Sequence, residues 1–298
     1  MIDLLLPFQY EFFTRGIIAS VLVGGVCALL GVYIILRGMS YIGHGMSHAV
    51  FGGAVASYIM NINLYIGATA WGVVSALLIH EIAKRNKIKA DAAIGVVTTA
   101  GFAIGVLLIS LKRSYIRNFE ALLFGNILGI TDQDLMVIIL VTVVTGAFIF
   151  FFQKRLLFTV FDRETAQVYG IRTELVDILF SLVLAGVVIA SMTSIGVTLL
   201  AAAIVTPAIS ARLLTSNFLK MIALSCCLGV ATAFLGMYCS FYLNSASGAT
   251  IVLFGAATVG IAYGYSLLHR VFHTHRHGQL KHAHPHIHTE SHQHEHEH

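Results

Sequence analysis

Residues 41–60, YIGHGMSHAVFGGAVASYIM, contain no Asp, Glu, Lys or Arg and are long enough to cross a bilayer as a helix. Two histidines, His44 and His48, stand four positions apart in this stretch. Four residues turn a helix by about 400°, so both imidazoles lie on nearly one face. Polar side chains within a membrane helix usually serve a function, and imidazole is the commonest metal ligand. The stretch predicts a span that presents two metal ligands. The alternative is a pair of packing histidines that are hydrogen-bonded inside the protein.

The composition of the whole chain agrees with a polytopic helical membrane protein. Of the 298 residues, 57% are hydrophobic and only 11% are charged, which is too apolar for a soluble domain. Hydropathy predicts nine spans, with eight or ten as alternatives. They are Gly16 to Leu36, Tyr41 to Met60, Leu64 to Ala83, Ala90 to Leu111, Leu135 to Phe152, Leu175 to Ser194, Val197 to Leu214, Met221 to Leu243 and Thr250 to Leu268.

Basic residues orient these spans. Loops that follow the third and fifth spans are rich in Lys and Arg, so they are predicted to lie in the cytoplasm. Counting outward places the N-terminus outside and the C-terminal tail inside. The apolar segment Phe119 to Ile130 is too short to cross and is predicted to be a re-entrant or interfacial helix.

A few polar or helix-breaking residues inside or beside the spans are candidates for the transport path. Pro207 is the only proline within a span and must break one backbone hydrogen bond, so it is either a hinge beside a path or a kink that suits packing. Asn126 could line an entry path, although an ordinary helix-packing hydrogen bond is the simpler interpretation. Asp177 is interpreted as a charge at the cytoplasmic border.

The cytoplasmic segment 161–172, FDRETAQVYGIR, is charged and compatible with a short helix that Asp162 begins and Gly170 ends. From its residues alone it is a solvated connector. The chain has no Gly-Lys dipeptide, so it lacks the G-x-x-x-x-G-K-[ST] phosphate loop and does not hydrolyse ATP by that chemistry. His80 and Glu81 do not form an H-E-x-x-H protease motif, because Lys84 stands where the second histidine would be.

Four segments together resemble the permease subunits of manganese, zinc and iron ABC importers. They are residues 40–50, SYIGHGMSHAV; 123–130, LFGNILGI; 194–208, SIGVTLLAAAIVTPA; and the pair Ala166 and Gly170 in an Ala-x-x-x-Gly arrangement. The resemblance extends from about Phe12 to Leu268, in consistent order and spacing. It implies an all-α permease domain over residues 1–268 in the cell membrane, with no catalytic residues and no permanently bound cofactor.

The resemblance also implies partners. Two permeases would form a homodimer, pair with two copies of a cytosolic ATPase, and receive Zn²⁺ or Mn²⁺ from an extracytoplasmic metal-binding protein. A coupling helix at about residues 161–171 would contact the ATPase through Arg163, Glu164, Ala166 and Gly170. The alternative function is an ATP-independent secondary metal transporter or channel, which ATP dependence and an ATPase partner would distinguish.

One departure from the family bears on the metal. The family often has Asp at the position of His44, so the metal role is carried over more directly to His48. Two imidazoles form a softer site than one carboxylate and one imidazole, which favours zinc first and manganese second.

The tail, residues 269–298, holds twelve of the fifteen histidines. It is polar and poor in apolar residues, so it is predicted to be disordered without metal. Neutral imidazoles would bind metal loosely there, which makes the tail a candidate buffer or sensor on the delivery side. The accessory ligands are His282, His284, His286, His288, His292, His294, His296 and His298.

Overall fold

The computed structural model describes residues 5–39, 41–84, 90–112, 123–277 and 280–285. Ten α-helices lie within these ranges, and nine of them have 18 residues or more. They are α1 (Glu11–Leu36), α2 (Tyr41–Met60), α3 (Leu64–Lys84), α4 (Ala90–Lys112), α5 (Asp132–Phe161), α6 (Arg163–Val168), α7 (Thr173–Met192), α8 (Val197–Leu214), α9 (Phe218–Leu243) and α10 (Ser247–Val271). Short 3₁₀ turns occupy Leu6–Gln9 and Ile127–Gly129, and two strands follow α10, β1 (Phe272–His277) and β2 (Leu280–Pro285).

The nine long helices correspond to the nine predicted spans, which confirms an all-α membrane domain. The bounds of α2 and α8 are those predicted. The largest difference is in α5, which was expected over Leu135 to Phe152 and runs over Asp132–Phe161. The apolar stretch ends at the basic residues after Phe152, but the helix continues past them to Phe161. Its start is fixed by a capping box between Thr131 and Asp134, a polar signal that hydropathy does not measure.

By length and composition, eight of the long helices in the described chain are apolar enough to span a membrane, and α2 is the exception. Its two histidines and four glycines lower its hydropathy. The same helix is buried along most of its length. Its neighbours α3, α4, α7 and α8 therefore shield it from lipid.

The predicted re-entrant helix over Phe119 to Ile130 is not continuous in its described part. The chain is helical at Leu123 and Phe124 and then turns at Gly125, whose φ of +79° suits glycine. A Cβ at Gly125 would also overlap with the backbone of Ser194 and Ile195. The helix thus stops at Gly125 because the chain must pass closely against the turn between α7 and α8. Residues 119–122 lie outside the described residues.

Glycines set the closest helix contacts. A Cβ on Gly52 of α2 would overlap with the carbonyl oxygen of Gly101 in α4, and a Cβ on Gly53 would overlap with that of Gly67 in α3. On the other side of the molecule, Gly24 of α1 and Gly229 of α9 face each other in the same way. Small residues at these contacts let the helix backbones pack closely, as is typical of helix interfaces in membranes.

The described part of the tail has more backbone structure than its composition predicts. β1 and β2 pair antiparallel, with His273 opposite His284 and His275 opposite His282. Histidine alternates with other residues in both segments, and a period of two suits an extended strand. An isolated two-stranded sheet is marginally stable at best, so disorder of the metal-free tail stays a prediction. The tail histidines from His286 to His298 lie outside the described residues.

We expect Gly52→Ala to lower the thermal unfolding midpoint of the detergent-solubilised protein. The added methyl would push α2 away from α4, and overpacking of this kind costs about 1–3 kcal/mol. Gly146→Ala in α5 is the matched control, because a Cβ there meets nothing within 4 Å. Alanine also favours the helix by about 1 kcal/mol over glycine. Equal midpoints for the two variants would contradict the packing described for α2.

Candidate functional site

The two histidines of α2 converge on one point. Their Nε2 atoms are 3.1 Å apart, and their rings are nearly perpendicular, at 87°. Zinc binds histidine nitrogen at about 2.0–2.1 Å, so two nitrogens on one tetrahedral ion lie about 3.3 Å apart. The separation in the structure is close to that value. It is also the length of a hydrogen bond between the two rings, so the geometry fits both a single shared ion and the packing alternative.

Aromatic rings surround the pair. The Tyr41 ring lies 5.4 Å from His44, and the Phe102 ring of α4 lies 4.9 Å from His48 with its edge toward it. Both histidines are half-buried. The Nδ1 atom of His48 is buried and has no hydrogen-bond partner among the described residues. Packing histidines and metal-bound histidines both normally have such a partner, so this atom does not distinguish the ligand role from the packing alternative.

One chain supplies an incomplete set of ligands. No group of three or more His, Cys, Asp or Glu side chains placed to hold a metal occurs in the part of the chain that the structure describes. Zinc usually takes four ligands in proteins. Two imidazoles on one helix face are half of that number.

The predicted coupling segment contains the helix α6. Asp162 accepts a hydrogen bond from the backbone N–H of Thr165 at 2.9 Å and another from its hydroxyl. Because these bonds stabilise the carboxylate, the pKa of Asp162 lies below its usual range. Gly170 follows the helix with a φ of +78°, a left-handed conformation that suits glycine. The predicted start and end of this helix are confirmed.

The surface of α6 differs from the expected one. Arg163, Glu164 and Gly170 are exposed, whereas Ala166 is fully buried and packs inside the permease. The exposed apolar residues are Val168, at 85%, and Tyr169, at 76%. The sequence pattern drew attention to Ala166, but Val168 and Tyr169 form the exposed apolar surface at this end of α6. In the sequence, the position of Val168 and Tyr169 directly before Gly170 was the feature that could have indicated this exposed surface.

Asp177 joins three helical elements rather than standing alone at the border. One carboxylate oxygen accepts a hydrogen bond from Arg37 at 2.8 Å, and the other accepts one from Arg163 at 2.7 Å. The guanidinium carbon of Arg37 lies 4.6 Å from the ring centroid of Phe180. Burial lowers the pKa of Arg37, and the Asp177 carboxylate opposes that shift. In the sequence, Arg37 stands alone between two long charge-free stretches, and this isolation was the feature that could have indicated a paired, buried arginine.

The two other predicted path residues lie in different places. Asn126 is exposed, and its backbone N–H donates to the carbonyl of Thr193 at the end of α7. Pro207 is buried within α8, and that helix continues through it. Proline cannot donate to the carbonyl of Ala203 one turn earlier, so α8 has a weak point there.

Comparisons with known proteins agree with this architecture. The family model described as the ABC 3 transport family matches residues 9–264. The manganese transport system membrane protein MntC of Listeria monocytogenes is 37% identical over 255 residues, which cover 86% of this chain and 91% of that protein. A probable iron transport system membrane protein of Haemophilus influenzae is 36% identical over 267 residues, covering 89% and 94%.

A solved structure has the same fold. PsaBC from Streptococcus pneumoniae in complex with Fab superposes with a TM-score of 0.80 at 32% identity, covering 90% of this chain and 99% of the other. With a family match over most of its length and relatives above 30% identity, the chain belongs to the ABC 3 transport family.

Proposed function

We propose that this permease of a metal ABC importer carries zinc first and manganese second, through a site that His44 and His48 of two subunits form together. The permease role follows from family membership and from relatives that are named manganese and iron transport system membrane proteins. Membership of an ABC family also argues against the ATP-independent alternative. The convergence of the two Nε2 atoms at 3.1 Å supports the site.

A two-fold axis would complete the ligand set. Each chain offers two imidazoles on one helix face, and two chains offer four, the usual number for zinc. Such a homodimer would work with two copies of a cytosolic ATPase and with an extracytoplasmic metal-binding protein. Imidazole nitrogens are softer ligands than carboxylate oxygens, which supports zinc over manganese. The bound metal is cargo, so its site must release it after each cycle.

The exposed end of α6 supports the contact with the ATPase. Tyr169 and Val168 lie outside the spans and face solvent in the isolated chain. Aromatic side chains are enriched at the centres of protein interfaces. The buried Ala166 would hold α6 on the permease, while these two residues reach the partner. ATP hydrolysis would take place in that separate subunit.

His48→Ala should reduce zinc import into proteoliposomes by about tenfold or more, since each 1.4 kcal/mol of lost binding is tenfold in affinity. The assembled complex should remain intact. His80→Ala is the matched control, because that histidine lies on α3 and is not part of the pair. His44→Asp should shift preference toward manganese. Wild-type zinc and manganese import by the His44→Ala, His48→Ala double variant would refute the site.

Tyr169→Ala should weaken co-purification of the ATPase with the permease. Truncation of a buried aromatic at an interface typically costs about 2 kcal/mol or more, which corresponds to at least tenfold in affinity. Phe150→Ala is the control, because that ring is 77% exposed but lies within a membrane span. Unchanged ATPase association in the Tyr169 variant would show that α6 docks elsewhere or not at all.

Removal of the tail after Val271 should leave assembly and import intact, because α10 remains whole and the tail lies beyond the membrane domain. Import should respond differently to metal concentration if the tail histidines bind metal on the delivery side. Uptake by the full-length and truncated proteins over a range of zinc concentrations measures this. A truncated protein that does not fold would show instead that the tail is structural.

A further inference from the structure

The Asp177 carboxylate contacts both the proposed ATPase-docking helix and the end of α1. It lies in the second turn of α7 and holds Arg163, the first residue of α6, at 2.7 Å and Arg37, the residue after α1, at 2.8 Å. Residues 37 and 177 are 140 positions apart in sequence. Two cations thus share one anion where three helical elements meet.

The two ion pairs are unequal in their surroundings. The Arg37 side chain is 7% exposed and the Arg163 side chain is 51% exposed. The Nε and Nη2 atoms of Arg37 have no hydrogen-bond partner in the described structure, so Asp177 is the acceptor that keeps this buried cation neutralised. The inner pair, Arg37 with Asp177, is buried and costly to break. The outer pair, Arg163 with Asp177, is screened by water. A movement of α6 therefore strains or releases the outer pair first.

The inner pair leads directly to the histidine helix. The Arg37 backbone N–H still bonds to the carbonyl of Tyr33, so its backbone is held to the last turn of α1. Arg37 and Gly38 form a turn after α1, and the N–H of Ile42 in α2 bonds to the carbonyl of Met39. His44 lies two residues beyond Ile42. The turn is short, so a displacement of Arg37 reaches the first turn of α2.

We infer that Asp177 is a positioning residue that transmits displacement of α6 through Arg37 to the α1–α2 turn, and thereby couples ATPase action to the histidine pair. The inference rests on the proposed function of α6 as the ATPase contact. Asp177 binds neither metal nor nucleotide. Its role is to keep the two ends of this connection in register during the transport cycle.

The test measures zinc imported per ATP hydrolysed by the complete transporter in proteoliposomes. Asp177→Asn removes the negative charge and should lower the zinc-per-ATP ratio by about fivefold or more. Fivefold is the smallest effect that typical coupling between two sites produces. Asp177→Glu keeps the carboxylate and should restore most of the ratio. Arg163→Gln breaks only the exposed pair, so it covers the case in which Asp177→Asn does not fold. It should lower the ratio too, and the Arg163→Gln, Asp177→Asn double variant should be no worse than Asp177→Asn alone.

Arg155→Gln is the matched control, because it removes an exposed cation at the end of α5 without touching Asp177. An unchanged ratio in both Asp177→Asn and Arg163→Gln would overturn the inference, as would equal loss in Arg155→Gln. Loss of ATPase co-purification in Asp177→Asn and Arg163→Gln would also overturn it, because the ion pairs would then only support α6. Failure of the docking proposal is recognised separately, by normal ATPase co-purification of Tyr169→Ala.

Discussion

Close backbone contact around α2 is the constraint on which the rest of the structure depends. This helix carries two imidazoles in an otherwise uncharged span, and exposure of such polar groups to lipid would be costly. Gly52 and Gly53 allow α4 and α3 to approach without intervening side chains. The neighbouring helices thus replace lipid around α2, while His44 and His48 stay half-buried along one face. A helix that hydropathy alone would rank lowest is therefore central to the bundle.

Much of the fold could be predicted from the sequence because membrane spans are specified locally. An apolar stretch of sufficient length predicts a helix regardless of its neighbours, and all nine predicted spans are helices in the structure. The α6 helix was equally predictable, because Asp162 caps its start and Gly170 ends it, and both act within a few residues of their own positions. The ends of α5 were missed because polar caps and solvent-exposed helical turns leave no hydropathy signal.

The parts of the site that the sequence could not supply depend on distant residues. The spacing of His44 and His48 predicted one face but not the convergence of their Nε2 atoms, which depends on the rotamers that Tyr41 and Phe102 permit. Burial of Ala166 results from packing of α6 on its neighbours, which no local pattern reveals. The ion pairs of Asp177 join two arginines from different elements, one of them 140 positions away in sequence, which local patterns do not indicate.

The two ends of α2 have different physical character, and this difference is relevant to transport. Near its start, α2 follows a short turn after Arg37, whose charge is held by a single carboxylate. Close glycine contacts begin at Gly45, which packs on Ile94 of α4, and continue at Gly52 and Gly53 against α4 and α3. Packed interfaces respond as units and the buried Arg37 pair is costly to break, whereas the exposed Arg163 pair can exchange partners at lower cost. Displacement of the α1–α2 turn would consequently act first on the start of α2, where His44 lies one residue before the closely packed Gly45, while Gly52 and Gly53 keep the second half of the helix in place.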